Sequence, residues 1–276
     1  MERPYARGVI DRYRTQVLPA KRSEQTRSDQ GRALTRLKGV YGHMLPDGIT
    51  APMLYRYLDE RKTPEGRPAR VAVRHEISLL GHIFGKAIRR GIASSNPVRG
   101  IDYGERGGKR RKVELLEVQK LRELASERMR VAIDLAVITG QRRGDLLSLK
   151  REQLTNEGIV FQQSKTGAGV LIAWSADLEA IVARAKALSP QIPADYLIRK
   201  PNGKAYWARG FSAIWQRLMA KHVAAGGQRF TFHDLRSVSA DGAQTAEEAR
   251  DRLGHASVET TKRHYLRGLT KAKPRS

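Results

Sequence analysis

Through the first hundred residues, apolar positions recur every three or four places, the signature of amphipathic helices. Val9, Ile10, Tyr13, Val17 and Leu18 share one face of a first helix, and Ala33, Leu34, Leu37, Val40 and Tyr41 repeat the pattern in a second. Thr50 is placed to cap a short third helix carrying Met53, Leu54, Tyr57 and Leu58. Gly66 and Pro68 break the chain. A long helix follows with Val73, Ile77, Leu80, Phe84 and Ile88 inward, ending at Gly91 with Asn96-Pro97 beyond.

The pattern changes after residue 101. Asp102 to Lys112 reads DYGERGGKRRK, with three glycines, four consecutive cations and no periodic apolar residue, so it is expected to be a linker. Its glycines do not follow a strand, which excludes a dinucleotide-binding loop. Beyond it, Leu116, Leu121 and Leu124 suggest one helix. Val131, Ile133, Leu135, Ala136 and Ile138 suggest an almost wholly apolar, buried one. Gly158 to Gln163 and Val170 to Trp174 read as strands of a hairpin around Lys165-Thr166-Gly167-Ala168-Gly169. Ser175 can cap a helix running through Ala187. Tyr196 to Arg199 and Ala205 to Trp207 flank Asn202-Gly203, a second turn signal. Everything after Ala208 is helical in pattern. The expected fold class is mainly α with a small β-sheet, in two domains: a helical one over 1–101 and an α+β one over 113–276, joined by 102–112.

Charge narrows the function. The formal net charge is +24. Residues 1–112 hold 25 Lys and Arg against 11 Asp and Glu, and the remainder holds 27 against 17. The excess is spread over both domains, which suits a polyanion spanning them, most simply DNA; the alternative is a solvated cationic face. Cysteine is absent, so disulfides, thiolate zinc sites and cysteine nucleophiles are excluded. There is no run of 18 apolar residues and Met-Glu-Arg-Pro does not open a signal peptide, so a cytoplasmic protein with no membrane partner is expected.

Several polar residues stand in contexts that invite chemistry. Arg142 follows Thr-Gly at the end of the buried helix, and Arg236 lies in a His-x-x-Arg stretch. An arginine beside a buried helix is costly unless an anion meets it, and its guanidinium forks toward phosphate oxygens. Two of them can clamp one phosphate; the alternative is two structural ion pairs. Lys165, at the hairpin tip, is otherwise a solvated lysine. His233 can accept or donate a proton. His222, His233, His255 and His264 form no zinc-binding spacing, and no metal or cofactor is expected. His43, His75, His82 and His222 have no motif around them and read as surface or core residues. Tyr265 is one of nine tyrosines, and a phenol held near a clamped phosphate can attack it.

Taken in order, Thr-Gly-Gln-Arg-Arg-Gly-Asp-Leu (139–146), Ser-Lys-Thr-Gly around Lys165, His233-x-x-Arg236, Leu253-Gly254-His255 and Tyr265 ten residues later resemble the tyrosine recombinases, the integrase family of phages and bacteria. The resemblance covers nearly the whole chain. It implies a helical core-binding domain followed by a catalytic domain, and cleavage of DNA through a 3′-phosphotyrosine and a Holliday junction. By the same resemblance Arg142 and Arg236 bind the scissile phosphate, and Asp145 orients Arg142. Lys165 protonates the leaving 5′-oxygen, His255 hydrogen-bonds the phosphate and Tyr265 is the nucleophile. The usual spacing from this histidine to the nucleophile is nine, which lands on His264; here it is ten. A loop over Val258 to Thr261, β-branched at three of four positions, is expected to absorb the difference. Arg70, Arg74, Lys86 and Arg89 on the long helix, and Lys109, Arg110 and Arg111 in the linker, are the expected backbone contacts to DNA. The implied partners are double-stranded attachment sites, a homotetramer on DNA, and a directionality factor or host DNA-bending protein. Integrases often carry a further arm-binding domain at the N-terminus, expected here to be absent or removed. A type IB topoisomerase shares the chemistry, and a non-catalytic DNA-binding protein shares the fold; both are alternatives.

Overall fold

The computed structural model describes residues 4–21, 23–104, 111–164, 167–188 and 195–264, the side chains of 262–264 excepted. Lys109, Arg110, Lys165 and Tyr265 therefore lie outside the described residues. The chain divides into two compact units, Met1–Lys109 and Arg110–Ser276. Among the described residues it is mainly α-helical with one two-stranded sheet. None of these helices is long and apolar enough to cross a membrane.

The first unit holds α1 (Ala6–Gln16), α2 (Glu24–Tyr41), α3 (Ala51–Glu60) and α4 (Arg70–Ile88). Ser23 caps α2 by accepting from the Thr26 amide at 3.3 Å. Thr50 sits at the N-cap of α3 without a side-chain capping bond, and Pro52 preorganises that first turn instead. The four helices bury Ile10, Leu34, Leu37, Leu54, Val73, Ile77 and Leu80 together. Two residues assigned inward by periodicity, Val40 and Met53, are instead exposed, because the buried stripe on each helix is narrower than the apolar one. Glu76 is buried on α4, where it accepts from Tyr57 Oη at 2.6 Å and Arg36 Nη1 at 3.0 Å, so a carboxylate inside this core is paired rather than orphaned.

The second unit holds α5 (Leu115–Glu123), α6 (Glu127–Thr139), α7 (Arg143–Leu147), β1 (Gly158–Gln162), β2 (Gly169–Ala173), α8 (Ala176–Ala187), α9 (Ala208–Ala224), α10 (Leu235–Asp241), α11 (Ala246–Leu253) and α12 (Val258–His264). On α5 the inward residues are Val118 and Leu121, while Leu116 and Leu124 face out. α6 is the buried centre: Val131, Ala132, Ile133, Leu135 and Ala136 are all enclosed. β1 and β2 pair antiparallel, with Phe161 opposite Val170. Ser175 caps α8 by accepting from the Leu178 amide. The second turn signal yields only an isolated bridge, Arg199 to Ala205, since too few residues flank it to build a ladder. An edge-to-face cluster of Phe211, Trp215, Phe230 and Phe232 ties the segment before α10 to α9. His222 is buried against Phe230.

Candidate active site

Among the described residues Arg236 is the largest fully buried side chain, 1% exposed on α10. The local sequence explains its position. Thr231 donates through its amide and its hydroxyl to Asp234 Oδ2, both at 2.7 Å, closing a 3₁₀ turn over Phe232–Asp234 that feeds directly into α10. α10 packs across α6, so residue 236 faces the end of that helix. Arg236 Nη1 donates to Gly140 O and Nη2 to Leu253 O, both at 2.5 Å. Gly140 is the C-cap of α6 and Leu253 the last residue of α11. Two helix C-termini thus turn their unpaired carbonyls and negative dipole ends onto one guanidinium, the partners a buried cation requires.

Both motif glycines make this approach possible. Gly140 has φ of 64° and Gly254 φ of 62°, the left-handed conformation that ends α6 and α11. A Cβ on Gly140 would lie 2.7 Å from Leu253 Cδ2 and 2.8 Å from Ser239 Oγ; one on Gly254 would lie 2.5 Å from Gln163 Nε2 and Val170 Cγ2. The Thr-Gly and Leu-Gly-His motifs therefore report close packing as well as backbone conformation.

Arg142 sits at the N-cap of α7 with its side chain 20% exposed. Its Nη1 donates to Gln163 Oε1 at 2.5 Å. Asp145 Oδ2 lies 4.0 Å from the same nitrogen, an ion pair without a hydrogen bond. The hydrogen bonds of Asp145 go elsewhere: its Oδ1 accepts from the amide and hydroxyl of Ser164, at 3.0 and 2.8 Å. Asp145 thus faces Arg142 through charge alone and anchors the residue just before Lys165, while Gln163 supplies the hydrogen bond to the guanidinium. The neighbouring Arg143 turns away and donates to Ser212 Oγ on α9 at 2.8 Å.

His255 completes the described cluster. Arg236 Nη2 meets His255 Nε2 at 3.0 Å, and Nδ1 lies 2.9 Å from Thr261 Oγ1. An open groove of about 480 Å³, lined by Val170, Leu171, Asp251, Gly254 and His255, runs past the ring. His233 is exposed on its 3₁₀ turn three residues before Arg236. The structure brings Arg142, Asp145, Arg236 and His255 into one connected network. The expected loop over Val258 to Thr261 is instead helical, as α12 begins at Val258 with Ser257 Oγ accepting from the Thr260 amide at 3.3 Å. That capping bond, and the burial of Thr261, outweigh the weak helix propensity of β-branched residues.

Three residues here were given no role by the motif pattern: Gln141, Gln163 and Thr261. A signal for Gln163 existed. Strand β1 alternates inward Ile159 and Phe161 with outward Val160 and Gln162, and the next inward position is a glutamine, 0% exposed. A polar residue on the buried register of a strand needs a polar partner.

The candidate phosphate contacts are not equivalent. Arg70, Lys86 and Arg89 are exposed on or beside α4. Arg74 is committed within its own unit: Nη2 donates to Tyr103 O at 2.9 Å and its guanidinium lies 5.3 Å from the Tyr103 ring. Arg111 donates to Glu117 Oε2 at 2.8 Å and to Gln228 O at 3.3 Å. That hydrogen bond, aided by the Glu114 amide, holds the Glu117 carboxyl below its ordinary range.

Comparison with known proteins places these observations. The model of the phage integrase family matches residues 112–271. The integrase of Enterobacteria phage 434 is 28% identical over 218 residues, which cover 75% of this chain and 59% of that protein. The chain thus spans less than two thirds of the length of the curated relatives it matches. Among solved structures, a fragment of lambda integrase, a dimer bound to a COC′ core site, matches with a TM-score of 0.80 over 98% of this chain and 100% of that one, at 22% identity. A lambda integrase tetramer bound to a Holliday junction matches with a TM-score of 0.79, covering 98% and 80% at 22% identity.

Proposed function

The chain belongs to the phage integrase family, and from that premise we propose that it is a site-specific DNA strand transferase working through a 3′-phosphotyrosine. One observation carries the proposal: Arg142 and Arg236 are tied into a single buried network through Gln163 and Leu253 O. Two fixed guanidiniums are what a phosphate needs if charge on its non-bridging oxygens is to be neutralised as attack proceeds. Tyr265 Oη attacks phosphorus; the bond to the 5′-oxygen breaks, and Lys165 supplies the proton to that oxygen. The phosphodiester energy is kept in the tyrosyl ester, so a 5′-hydroxyl rejoins by the reverse step. Once DNA is bound, His255 carries a proton on Nε2 in place of its contact with Arg236 and donates it to a non-bridging oxygen, and His233 exchanges the proton of the nucleophile. Asp145 fixes Ser164 and with it the base of the hairpin that carries Lys165.

The substrate in this reading is a double-stranded attachment site, bound by two copies on inverted half-sites, with four copies exchanging strands in pairs. The net charge of +24 supports a binding mode dominated by phosphate contacts. A directionality factor or host bending protein belongs to the same proposal.

The test is capture and sequencing of DNA covalently attached to the protein. The native chain is expected to yield an adduct at one sequence, resistant to denaturant. Tyr265→Phe should yield none, whereas His264→Ala should retain adduct. An adduct surviving in Tyr265→Phe overturns the nucleophile, and no adduct from the native chain leaves a DNA-binding protein on this fold. Adducts without sequence preference would indicate a topoisomerase.

A further inference from the structure

Gln163 lies between the two arginines, and its amide has no remaining freedom. Its Oε1 accepts from Arg142 Nη1; its Nε2 donates to Gln141 Oε1 and to Leu253 O, each at 2.9 Å. Gln141 Nε2 in turn donates to Arg252 O at 2.7 Å. The direction of this chain of amides is dictated by its ends. A guanidinium can only donate and a backbone carbonyl can only accept, so neither glutamine can flip without setting donor against donor at Arg142 and acceptor against acceptor at Leu253. Burial raises the stakes, since both glutamines are at most 2% exposed and an unmet amide there is costly.

Leu253 O is the shared point. It accepts from Gln163 Nε2 and from Arg236 Nη2. Gln163 is thereby bonded to one arginine and to the carbonyl that holds the other. The backbone on either side is also fixed: its amide donates to Ala168 O at 2.9 Å, and Ser164 is held by Asp145. Among the described residues the Arg142 guanidinium makes no other hydrogen bond; besides Gln163, the ion pair to Asp145 Oδ2 at 4.0 Å bears on its fork, and only the bond to Gln163 is directional.

We propose that Gln163 is a positioning residue for the strand-transfer reaction, holding the Arg142 guanidinium in register with Arg236 at the scissile phosphate. The role rests on the function proposed above. Gln163 touches no reacting atom; it acts through Arg142. A misplacement of about 1 Å at such a group costs on the order of 10²-fold in rate, and that is the expected loss in Gln163→Met, which has a similar length and shape but no amide.

The experiment has two arms. In the first, without DNA, the arginine Nε–H resonances are recorded by ¹⁵N NMR, with Arg142 assigned by its loss in Arg142→Lys. In Gln163→Met the Arg142 resonance should shift and broaden while that of Arg236 persists. In the second, single-turnover cleavage is measured on the captured site carrying either a phosphate or a neutral methylphosphonate at the scissile position. With a methyl group in place of a non-bridging oxygen, less charge needs neutralising. The defect of Gln163→Met should therefore shrink at least tenfold on methylphosphonate, an effect that mere loss of folded protein does not produce. Should Gln163→Met not fold, Gln163→Asn takes its place: it keeps an amide but is one methylene shorter and gives up its reach to Arg142, and the defect should again shrink on the neutral substrate. The proposal fails if the Arg142 resonance in Gln163→Met matches the native one, or if either variant loses as much on methylphosphonate as on phosphate. Absence of cleavage by the native chain counts against the proposed function, and the NMR arm then decides the placement of Arg142 alone.

Discussion

Arg236 and His255 meet at 3.0 Å through Nη2 and Nε2, and that contact decides where the neutral imidazole carries its proton. The guanidinium can only donate, so Nε2 accepts and Nδ1–H points at Thr261 Oγ1, 2.9 Å away. Thr261→Val removes this acceptor from a fully buried position. Long-range ¹⁵N spectra should show the Nδ1–H tautomer in the native protein and a larger Nε2–H fraction in the variant. Stability should fall by about 0.5–1.5 kcal/mol for the lost hydrogen bond.

Arg236→Met tests the two helix ends. Leu253 O keeps Gln163 as a partner, but Gly140 O loses the donor that Arg236 supplied. A buried carbonyl left unpaired costs about 1–3 kcal/mol, so the urea midpoint should drop while the dependence on urea stays unchanged.

Three glycines in the same conformation should respond differently. Gly91, Gly140 and Gly254 have φ of 68°, 64° and 62°. A left-handed conformation costs an L-residue about 1–2 kcal/mol. Gly91→Ala, with nothing within 4 Å of its new methyl group, should lose about that much. Gly140→Ala and Gly254→Ala should lose more, and Gly254→Ala should also disturb Arg142 by displacing Gln163. Thermal melts rank the three.

Arg111 holds Glu117 below its ordinary pKa, chiefly through the hydrogen bond between them. A carboxylate depressed in the folded state contributes stability that is present above its unfolded pKa and lost as pH falls through the folded one. In Arg111→Ala, the Glu117 carboxyl should titrate closer to its ordinary range in ¹³C spectra. The variant should also lose less stability than the native protein on acidification through that window.

Cleavage is expected to proceed in excess chelator, because arginine and lysine supply the cations in this chemistry. Loss of cleavage with chelator, restored by magnesium, points instead to a metal-dependent nuclease.

The sequence by itself determined the helical first unit, the hairpin and the order of the chemical groups. The spacing of Val73, Ile77, Leu80 and Phe84 follows from the pitch of a helix, and the alternation through Ile159 and Phe161 from the pleat of a strand. Such periodicities report which face is buried. They carry no information about what a buried polar group meets or where the buried stripe ends, so Val40 and Met53 lie exposed beside buried neighbours, and the hydrogen bond from Arg142 goes to a glutamine that no motif marks. The tertiary structure decided those matters. Arg236 finds Gly140 O across 96 positions of chain, and Gln163 finds Leu253 O across 90. No local propensity encodes such pairs; they arise where packing of α10 on α6 and of α11 beside the hairpin brings orphaned helix-end carbonyls together. At α12 a capping serine and the burial of Thr261 overrode the β-branched sequence. In each case the local preference is worth a few tenths of a kcal/mol per residue, about 0.7 at most, and an unmet buried polar group costs about 1–3 kcal/mol, so the long-range partner prevails.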